Sequence, residues 1–337
     1  MKRKEANNYS SRKVWLILSI LLIVLALFVF CSKVQSKDFY YITLLGGSNM
    51  KENGDVNSMG YILRTRDNKI IVVDGGRDID ADLLMEKINQ LGKGKVDYWF
   101  LTHAHNDHIG AIVKILEDSN YNVVIDNLCY NFNTEEWYKT YDPNRSEIAV
   151  RFFECVDIKK SPKINNIITG KENDNIDIDN LSCKILRVAN PEIKESLNVG
   201  NEASMVFKFM MKKRDNSYSD KSMLFLGDSF VEASKEILSK HRNELKSYAV
   251  QMAHHGQNGV TKEVYDAIDP KVCFFNSPKW LYDNDNGNGY NSGNWQSIEV
   301  QSWIQNENRK TKSVIFKAYE GDVTLKISDK GYLVVDK

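Results

Sequence analysis

The feature that most restricts the fold of this chain is a group of metal-ligand residue types between a strand pattern and a helix pattern. Three of the six histidines, His103, His105 and His108, fall within six residues and enclose Asp107. Neutral imidazole and carboxylate are ligands that zinc prefers, and a strand-to-helix loop can turn successive side chains toward one point. We therefore expect His103 and His105 to face one metal ion and Asp107 and His108 another; a polar surface loop with chance histidines is the alternative.

Two further motifs stand at the ends of strand patterns. The apolar run at 222–226 ends in Gly227 and Asp228, which by itself also fits a simple turn. The run at 250–252 leads into Ala253, His254, His255 and Gly256, so five of the six histidines follow two strand patterns. Asp228 is expected to emerge at a sheet edge.

Residues 39–337 are interpreted as one α/β domain. Strand clusters separated by single helices are typical of sheets packed face to face with helices outside. The segment 131–170 is polar and weakly periodic, which indicates an insertion whose loops shape a pocket. The strand patterns lie at 40–45, 61–63, 70–73, 96–102, 183–188, 204–211, 223–226, 248–252, 272–275, 313–317, 323–327 and 332–335, and the helix patterns at 81–91, 109–116, 230–238, 262–268 and 297–304.

An apolar segment near the start departs from this pattern. Residues 14–30 carry no charge, and about seventeen residues at ~1.5 Å rise nearly cross a hydrocarbon core of ~30 Å. The basic residues of segment 1–13 precede it, which predicts a cytoplasmic start, a signal anchor at 14–31, a linker at 32–38 and an extracytoplasmic domain. A cleaved signal peptide is the first alternative, but residues 28–30 lack small cleavage-site residues. Lipid attachment at Cys31 is another.

The charge composition of the chain bears on the classes of partner that it can bind. The 45 basic and 45 acidic residues balance to a net charge of zero, which does not support binding of nucleic acid, although a local basic groove is not excluded by it. The five cysteines form no close pair and are interpreted as core residues. The sequence does not indicate an oligomeric state.

The string THAHNDHIG at 102–110, with Gly-Asp at 227–228 and Ala-His-His-Gly at 253–256 in that order, resembles the metallo-β-lactamase superfamily over most of residues 40–280. Within it, the chain looks most like the soluble domain of the DNA-uptake protein ComEC and the related bacterial phosphorylcholine esterases. The resemblance implies a four-layer αββα sandwich. The run Ile71–Gly76 is similar to the end of the family's N-terminal hairpin, whose closing aspartate, here Asp74, supports the site.

The resemblance also implies two divalent metals, with zinc the expected ion. The first would be held by His103 and His105, and the second by Asp107, His108 and His254, with Asp228 bridging the two. His255 would contact substrate or transfer a proton, although His254 and His255 could exchange roles. One departure from the family is that no histidine lies between His108 and His241. Asn201, in a segment similar to the Asn-x-x-Ser of the ComEC-like branch, or water would stand in that position, and the first metal would be held weakly.

The expected reaction is hydrolysis by a metal-bridging hydroxide. Asp107 and Asp228 would orient it, and His255 would supply a proton or stabilise developing charge. The favoured substrates are phosphoric esters, either nucleic acid or a choline-bearing envelope polymer. Two alternatives stay open: a catalytically inactive binding or assembly module of the same fold, and a hydrolase of lactone, thioester or β-lactam carbonyls.

Overall fold

A computed structural model of the chain describes residues 38–48, 50, 56–156, 161–305 and 312–337. Asp38–Lys337 forms one compact unit. The predicted cytoplasmic segment 1–13, the predicted anchor 14–31 and all but the last residue of the predicted linker lie outside the described residues. Within the ranges that are described, no helix has the length and apolar character to cross a membrane.

One sheet, termed the first sheet, has eight strands. It contains an antiparallel hairpin, Gly60–Arg64 with Ile70–Asp74, joined by the turn at 65–69. Beyond Ile70–Asp74 the pairing becomes parallel. Across the sheet the strands run in the order Gly331–Asp336, Val323–Ser328, Phe39–Leu44, Gly60–Arg64, Ile70–Asp74, Tyr98–Phe100, Leu128–Tyr130 and Ile167–Thr169.

The other large sheet, the second sheet, has seven strands. The four strands that come first in the chain pair antiparallel. The fourth of these, Met223–Phe225, also begins a parallel series with the three strands that follow it in the chain, in which each strand pairs with the next. In spatial order the strands are Val314–Lys317, Val272–Phe275, Ala249–Gln251, Met223–Phe225, Val206–Met211, Leu181–Arg187 and Asn175–Ile178. Lys95–Val96 and Val124–Ile125 make a separate small parallel pair.

The helices cover the outer faces of both sheets. Those against the first sheet are Ala81–Gly92, Asn106–Glu117, Glu135–Tyr141 and Ser146–Cys155, and those against the second are Val231–His241, Lys262–Ile268 and Ser297–Gln305. Two single turns of helix are Val199–Glu202 and Lys279–Tyr282. Short 3-10 turns occur at Asp78–Asp80, Pro143–Arg145, Arg242–Glu244, Ala253–Gly256 and Ala318–Glu320.

Strand alternation divides the apolar side chains into three cores. In the strand Gly60–Arg64, Tyr61 and Leu63 pack between the two sheets, whereas Ile62 packs against the helices of the first sheet. In the second sheet, Phe225 and Phe274 face the first sheet, and their neighbours pack on the outer helices. The predicted mixed α/β sandwich is confirmed, and its layers follow the order helices, sheet, sheet, helices.

The segment 131–170 differs from expectation. We expected loops, but Glu135–Tyr141 and Ser146–Cys155 are helices that bury Trp137, Tyr138 and Phe152 against the first sheet. The aromatic side chains hold this segment to the core although their spacing is irregular. A strand, Ile167–Thr169, then completes the edge of the sheet.

Parallel pairing brings the motifs of the sequence to one edge of each sheet. Asp74 ends one parallel strand of the first sheet and His103 follows the next. In the second sheet, Asp228 and His255 follow two neighbouring parallel strands. The carboxyl ends of parallel strands are where open α/β sheets bind ligands, so a site is expected at this edge.

Candidate metal centre

Four side chains from three segments converge at this edge. Asp107 and His108 stand in the first turn of the helix Asn106–Glu117, and Asp228 and His255 come from the second sheet. One ligand atom from each of the four lies within 4.8 Å of the others. His108, Asp228 and His255 are buried, so this group is enclosed by the protein.

Contacts within the group connect the imidazoles to the carboxylates. The Nε2 atom of His255 lies 3.1 Å from Oδ2 of Asp107 and 3.4 Å from Oδ2 of Asp228. The Nε2 atom of His108 lies 3.2 Å from Oδ1 of Asp228. The Asp107 carboxylate also accepts a hydrogen bond from the Asn57 side-chain amide at 2.9 Å.

His103 and His105 lie beside this group. The Nε2 atom of His103 is 3.9 Å from Oδ2 of Asp228, and its ring centre is 4.1 Å from that of His108. The ring centre of His105 is 4.5 Å from that of His103. The structure thus brings the whole predicted run together, with His103 and His105 on one side of Asp228.

The side chains of the adjacent residues His254 and His255 point in different directions. Both have positive φ, 49° for His254 and 60° for His255, which is uncommon for residues other than glycine and is found where a site requires it. His255 donates from Nδ1 to the Asn276 carbonyl at 2.8 Å, which leaves Nε2 facing the carboxylates. His254 donates from Nδ1 to the Asn258 carbonyl, and its Nε2 lies 3.3 Å from the Gln257 amide nitrogen.

The structure therefore places His255, and not His254, with the predicted ligands. These contacts favour the exchange of roles between His254 and His255 that the sequence left open. Both ring nitrogens of His255 are engaged, by the Asn276 carbonyl and by the carboxylates. Adjacent residues in one motif could not be told apart from the sequence, since their directions depend on the two left-handed backbone conformations.

Asp74 supports the centre through hydrogen bonds to Thr102 and His108. Its Oδ1 accepts the backbone N–H of Thr102 at 2.8 Å, and its Oδ2 accepts the Thr102 hydroxyl and the Nδ1–H of His108, each at 2.8 Å. Asp74 is fully buried and has φ 54°. One carboxylate therefore holds both the strand end before the run and the ring of His108, with Nε2 directed at Asp228.

Asp228 lies in a turn that several hydrogen bonds hold in place. The sequence showed only its Gly-Asp motif. Its backbone N–H donates to the Ser204 hydroxyl at 3.0 Å, and the Gln251 side chain accepts the N–H groups of Leu226 and Gly227. Gly227 has φ 56°, and a Cβ there would lie 2.8 Å from the Ser204 oxygen. A side chain at this position would displace the turn that carries Asp228.

The charges at the centre depend on each other. Burial disfavours a charged ring, but the Asp228 and Asp74 carboxylates outweigh it and raise the pKa of His108. In the same way the pKa of His255 rises to about 9 despite burial, through Asp228 and Asp107. Burial would raise the pKa of Asp107 and Asp228, yet the neighbouring imidazoles hold both below the usual value. Burial, together with the neighbouring His108 and His105 rings, lowers the pKa of His103.

Comparison with known proteins identifies the domain. Residues 53–179 match the sequence profile of the metallo-beta-lactamase superfamily. The chain carries a metallo-β-lactamase superfamily domain. The matched range contains Asp74 and the whole histidine run, whereas Asp228 and His255 lie beyond it and are placed at the same centre by the fold. The resemblance to the superfamily is confirmed; the ComEC-like branch is not established by this match.

Three solved structures resemble the chain at low identity. The metallo-beta-lactamase fold protein YhfI from Bacillus subtilis is 11% identical, with 86% of this chain and 99% of that one covered and a TM-score of 0.49. The E377D mutant of the β-hydroxylase CmlA is 10% identical, with 86% and 54% covered and a TM-score of 0.48. A diphosphatase of the PhnP family is 11% identical, with 86% and 98% covered and a TM-score of 0.43. No curated protein matches the sequence.

Buried polar atoms of the superfamily domain fit divalent metals. Among the described residues, Nε2 of His103, Nε2 of His108, Oδ1 of Asp228 and Oδ1 of Asn201 are buried with no hydrogen-bond partner. His108 and Asp228 approach to 3.2 Å, but their angles do not make a hydrogen bond. Leaving such atoms unpaired costs about 1–3 kcal/mol each. Nitrogen and carboxylate oxygen in this arrangement are a donor set for zinc.

The sequence missed residues that support the centre of the superfamily domain. Asp142 lies 2.8 Å from Nε2 of His105, in the segment expected to form loops. Asn57, Gln251 and the Asn276 carbonyl hold Asp107, the Asp228 turn and His255. Each contact joins residues more than twenty positions apart, so no local spacing marks it.

Proposed function

We propose that this superfamily domain is a metal-dependent hydrolase of phosphoric esters. The residues that would hold the metals are His103 and His105 on one side and Asp107, His108 and His255 on the other, with Asp228 between them. Two bound divalent ions would supply a nucleophilic water and polarise the scissile bond. The four-residue group is already assembled, whereas the first ion would have only His103, His105 and Asp228, with the buried, unpaired Oδ1 of Asn201 as a candidate further donor, so we propose unequal affinities.

The lining of a cavity beside the centre supports the proposed class of substrate. It has a volume of about 420 Å³ and is lined by His105, Asp107 and three arginines, Arg77, Arg145 and Arg151. Arg151 is paired with both oxygens of Glu117 at 2.9 and 2.7 Å, so its charge is already balanced. Arg77 donates to the uncharged Asn57 carbonyl. Arg145 donates to the Asn198 side chain and also lies 4.0 Å from the Asp142 carboxylate.

Arg77, and in part Arg145, whose charge is shared with Asp142, therefore offer positive charge to an anionic substrate next to the centre. Guanidinium groups bind phosphoryl oxygens well, while a neutral lactone, thioester or β-lactam ring gains little from them. Asp78 and Glu147 line the same cavity and oppose a densely anionic strand. This charge pattern favours a phosphodiester carrying a cationic group, such as phosphorylcholine, over nucleic acid.

The test is hydrolysis of a substrate series by the zinc-loaded, full-length chain. The series comprises bis(p-nitrophenyl) phosphate, p-nitrophenyl phosphorylcholine, single-stranded DNA, p-nitrophenyl acetate and a chromogenic β-lactam. We expect the phosphodiesters to be hydrolysed, with phosphorylcholine preferred. Preferential cleavage of the carbonyl compounds would establish the carbonyl hydrolase instead. Metal binding without turnover of any compound would establish the inactive binding module.

Arginine variants separate recognition from catalysis. Arg77→Gln and Arg145→Gln should each raise KM for the phosphodiester by about tenfold while changing kcat less, because each loses a charged hydrogen bond worth roughly 1.5–3 kcal/mol at most. Arg214→Gln is the matched control: Arg214 is 61% exposed at its side chain and is not among the cavity residues.

We also propose that residues 14–31 anchor the hydrolase in the cell membrane with the catalytic domain outside the cytoplasm. The proposal is based on the basic residues before the apolar segment. Protease added to spheroplasts should digest the domain at residues 38–337. Protection of the domain, under conditions in which a known external protein is cut, would reverse the orientation.

A further inference from the structure

Asp142 and His105 form a buried pair at the side of the centre that lacks a third histidine. The Oδ2 atom of Asp142 is 2.8 Å from Nε2 of His105, and the two side chains are 9% and 5% exposed. Asp142 lies between the helix Glu135–Tyr141 and the turn Pro143–Arg145. A segment expected to form pocket loops thus delivers a carboxylate to one of the predicted metal ligands.

Gly200 makes room for this pair. It is in the single turn Val199–Glu202, and a Cβ at Gly200 would lie 2.1 Å from Oδ2 of Asp142 and 2.3 Å from Nε2 of His105. Its φ is not in the left-handed region, so the backbone itself does not require glycine. The contact explains the glycine: any other residue would push the carboxylate and the imidazole apart.

The chemistry of the pair defines the state of His105. An ionised carboxylate only accepts hydrogen bonds, so the Nε2 of His105 carries the hydrogen and its Nδ1 keeps a free lone pair. His108 is arranged in the opposite sense, with Nδ1 on Asp74 and Nε2 toward Asp228. The nitrogen left free by the carboxylate is therefore Nδ1 in His105 and Nε2 in His108, each selected by its own buried carboxylate.

We propose that Asp142 is a positioning residue for the first metal: it holds His105 in the Nε2–H form and directs Nδ1 to the ion shared with His103. The proposal rests on the metal centre of the proposed function. Asp142 would strengthen the metal binding of one of the two histidines at that ion. The third histidine that many superfamily members supply there is absent from this sequence. Carboxylates on the far nitrogen of a metal-binding histidine raise its basicity and fix its orientation.

The experiment is zinc titration of the full-length, metal-free chain by calorimetry. The unmodified protein should show a tight and a weaker step, the weaker one for the ion at His103 and His105. Asp142→Ala should weaken the weaker step by about 10–100-fold and leave the tight step within about twofold. Asp142→Asn, which can still accept a hydrogen bond, should show a smaller loss. Glu136→Gln, an exposed carboxylate on the preceding helix, is the matched control and should change neither step.

Nitrogen-15 NMR of the histidines supplies a readout independent of zinc and of hydrolysis. His105 should show the Nε2–H form in the unmodified protein and a mixture of forms in Asp142→Ala. If that variant does not fold, Gly200→Ala replaces it and should weaken the same step, since its Cβ separates the pair. A folded variant with unchanged zinc steps and an unchanged His105 signal would overturn the proposal. Zinc binding with the expected losses but no hydrolysis would instead contradict the proposed function alone.

Discussion

The Nε2 atom of His255 lies 3.1 Å from Oδ2 of Asp107, although the two residues are 148 positions apart in the chain. The neighbouring His254 points away and contacts the Asn258 carbonyl and Gln257. Both rings are delivered by one turn with positive φ at both residues. The direction of each ring is therefore a property of the backbone and not of the residue type.

This difference predicts opposite results for two adjacent substitutions. His255→Asn should abolish the tight zinc step, because one of four assembled ligands is lost. His254→Asn should leave zinc stoichiometry and the tight step unchanged. Asparagine is the matched replacement at both positions since it tolerates positive φ. Metal content after dialysis measures both variants, and loss of the tight zinc in His254→Asn alone would restore His254 as the ligand.

Zinc binding should release protons at neutral pH. With the pKa of His255 raised to about 9 and that of His108 raised as well, the metal-free rings are protonated at pH 7, and a metal requires them neutral. Zinc affinity should therefore rise as the pH is raised above 7. Calorimetry in buffers of different ionisation enthalpy counts the protons. Equal heats in all buffers at pH 7 would mean that the rings are neutral before zinc binds.

Gly256 should be sensitive to a single added methyl group. It has φ 85°, and a Cβ would lie 2.1 Å from Cδ1 of the buried Phe275 ring. Gly256→Ala should lower the free energy of unfolding by about 2–4 kcal/mol, combining overpacking with the left-handed backbone. Gly287→Ala, with φ 99° and nothing within 4 Å, isolates the backbone contribution and should cost about 1 kcal/mol. Urea unfolding of the metal-free protein measures both, and equal losses would show that Phe275 moves aside.

Much of the fold could be predicted because its strands and helices have regular apolar spacing. The predicted helix 262–268 and strand 272–275 agree with the structure at both ends, and the hairpin at 61–73 is also confirmed. The predicted strand 96–102 instead divides into Lys95–Val96 and Tyr98–Phe100, which pair in different sheets. Sequence spacing does not show such a division, because Val96 is as buried as Trp99 and Phe100 and the pairing partners are distant in the chain.

The candidate site was predictable only where its ligands follow strand ends. His103 and Asp228 follow strand ends on two facing sheets, and His108 stands in the helix that begins after the first of these ends. Asp142 was not foreseen because its segment lacks periodic apolar residues, and its position depends on Trp137 and Tyr138 packing into the core. His241, in contrast, lies apart from this centre and pairs with Glu172 and Glu244.

The central claim is that a divalent metal at Asp107, His108, Asp228 and His255 is required for hydrolysis of a phosphoric ester. The direct measurement is the rate of p-nitrophenyl phosphorylcholine hydrolysis by the metal-free, full-length chain during stepwise addition of zinc, with bound zinc determined at each step. Hydrolysis should be absent without metal and rise with bound zinc, and Asp228→Asn should lower the rate by at least about a hundredfold. Equal rates in the metal-free and zinc-loaded protein would contradict the claim.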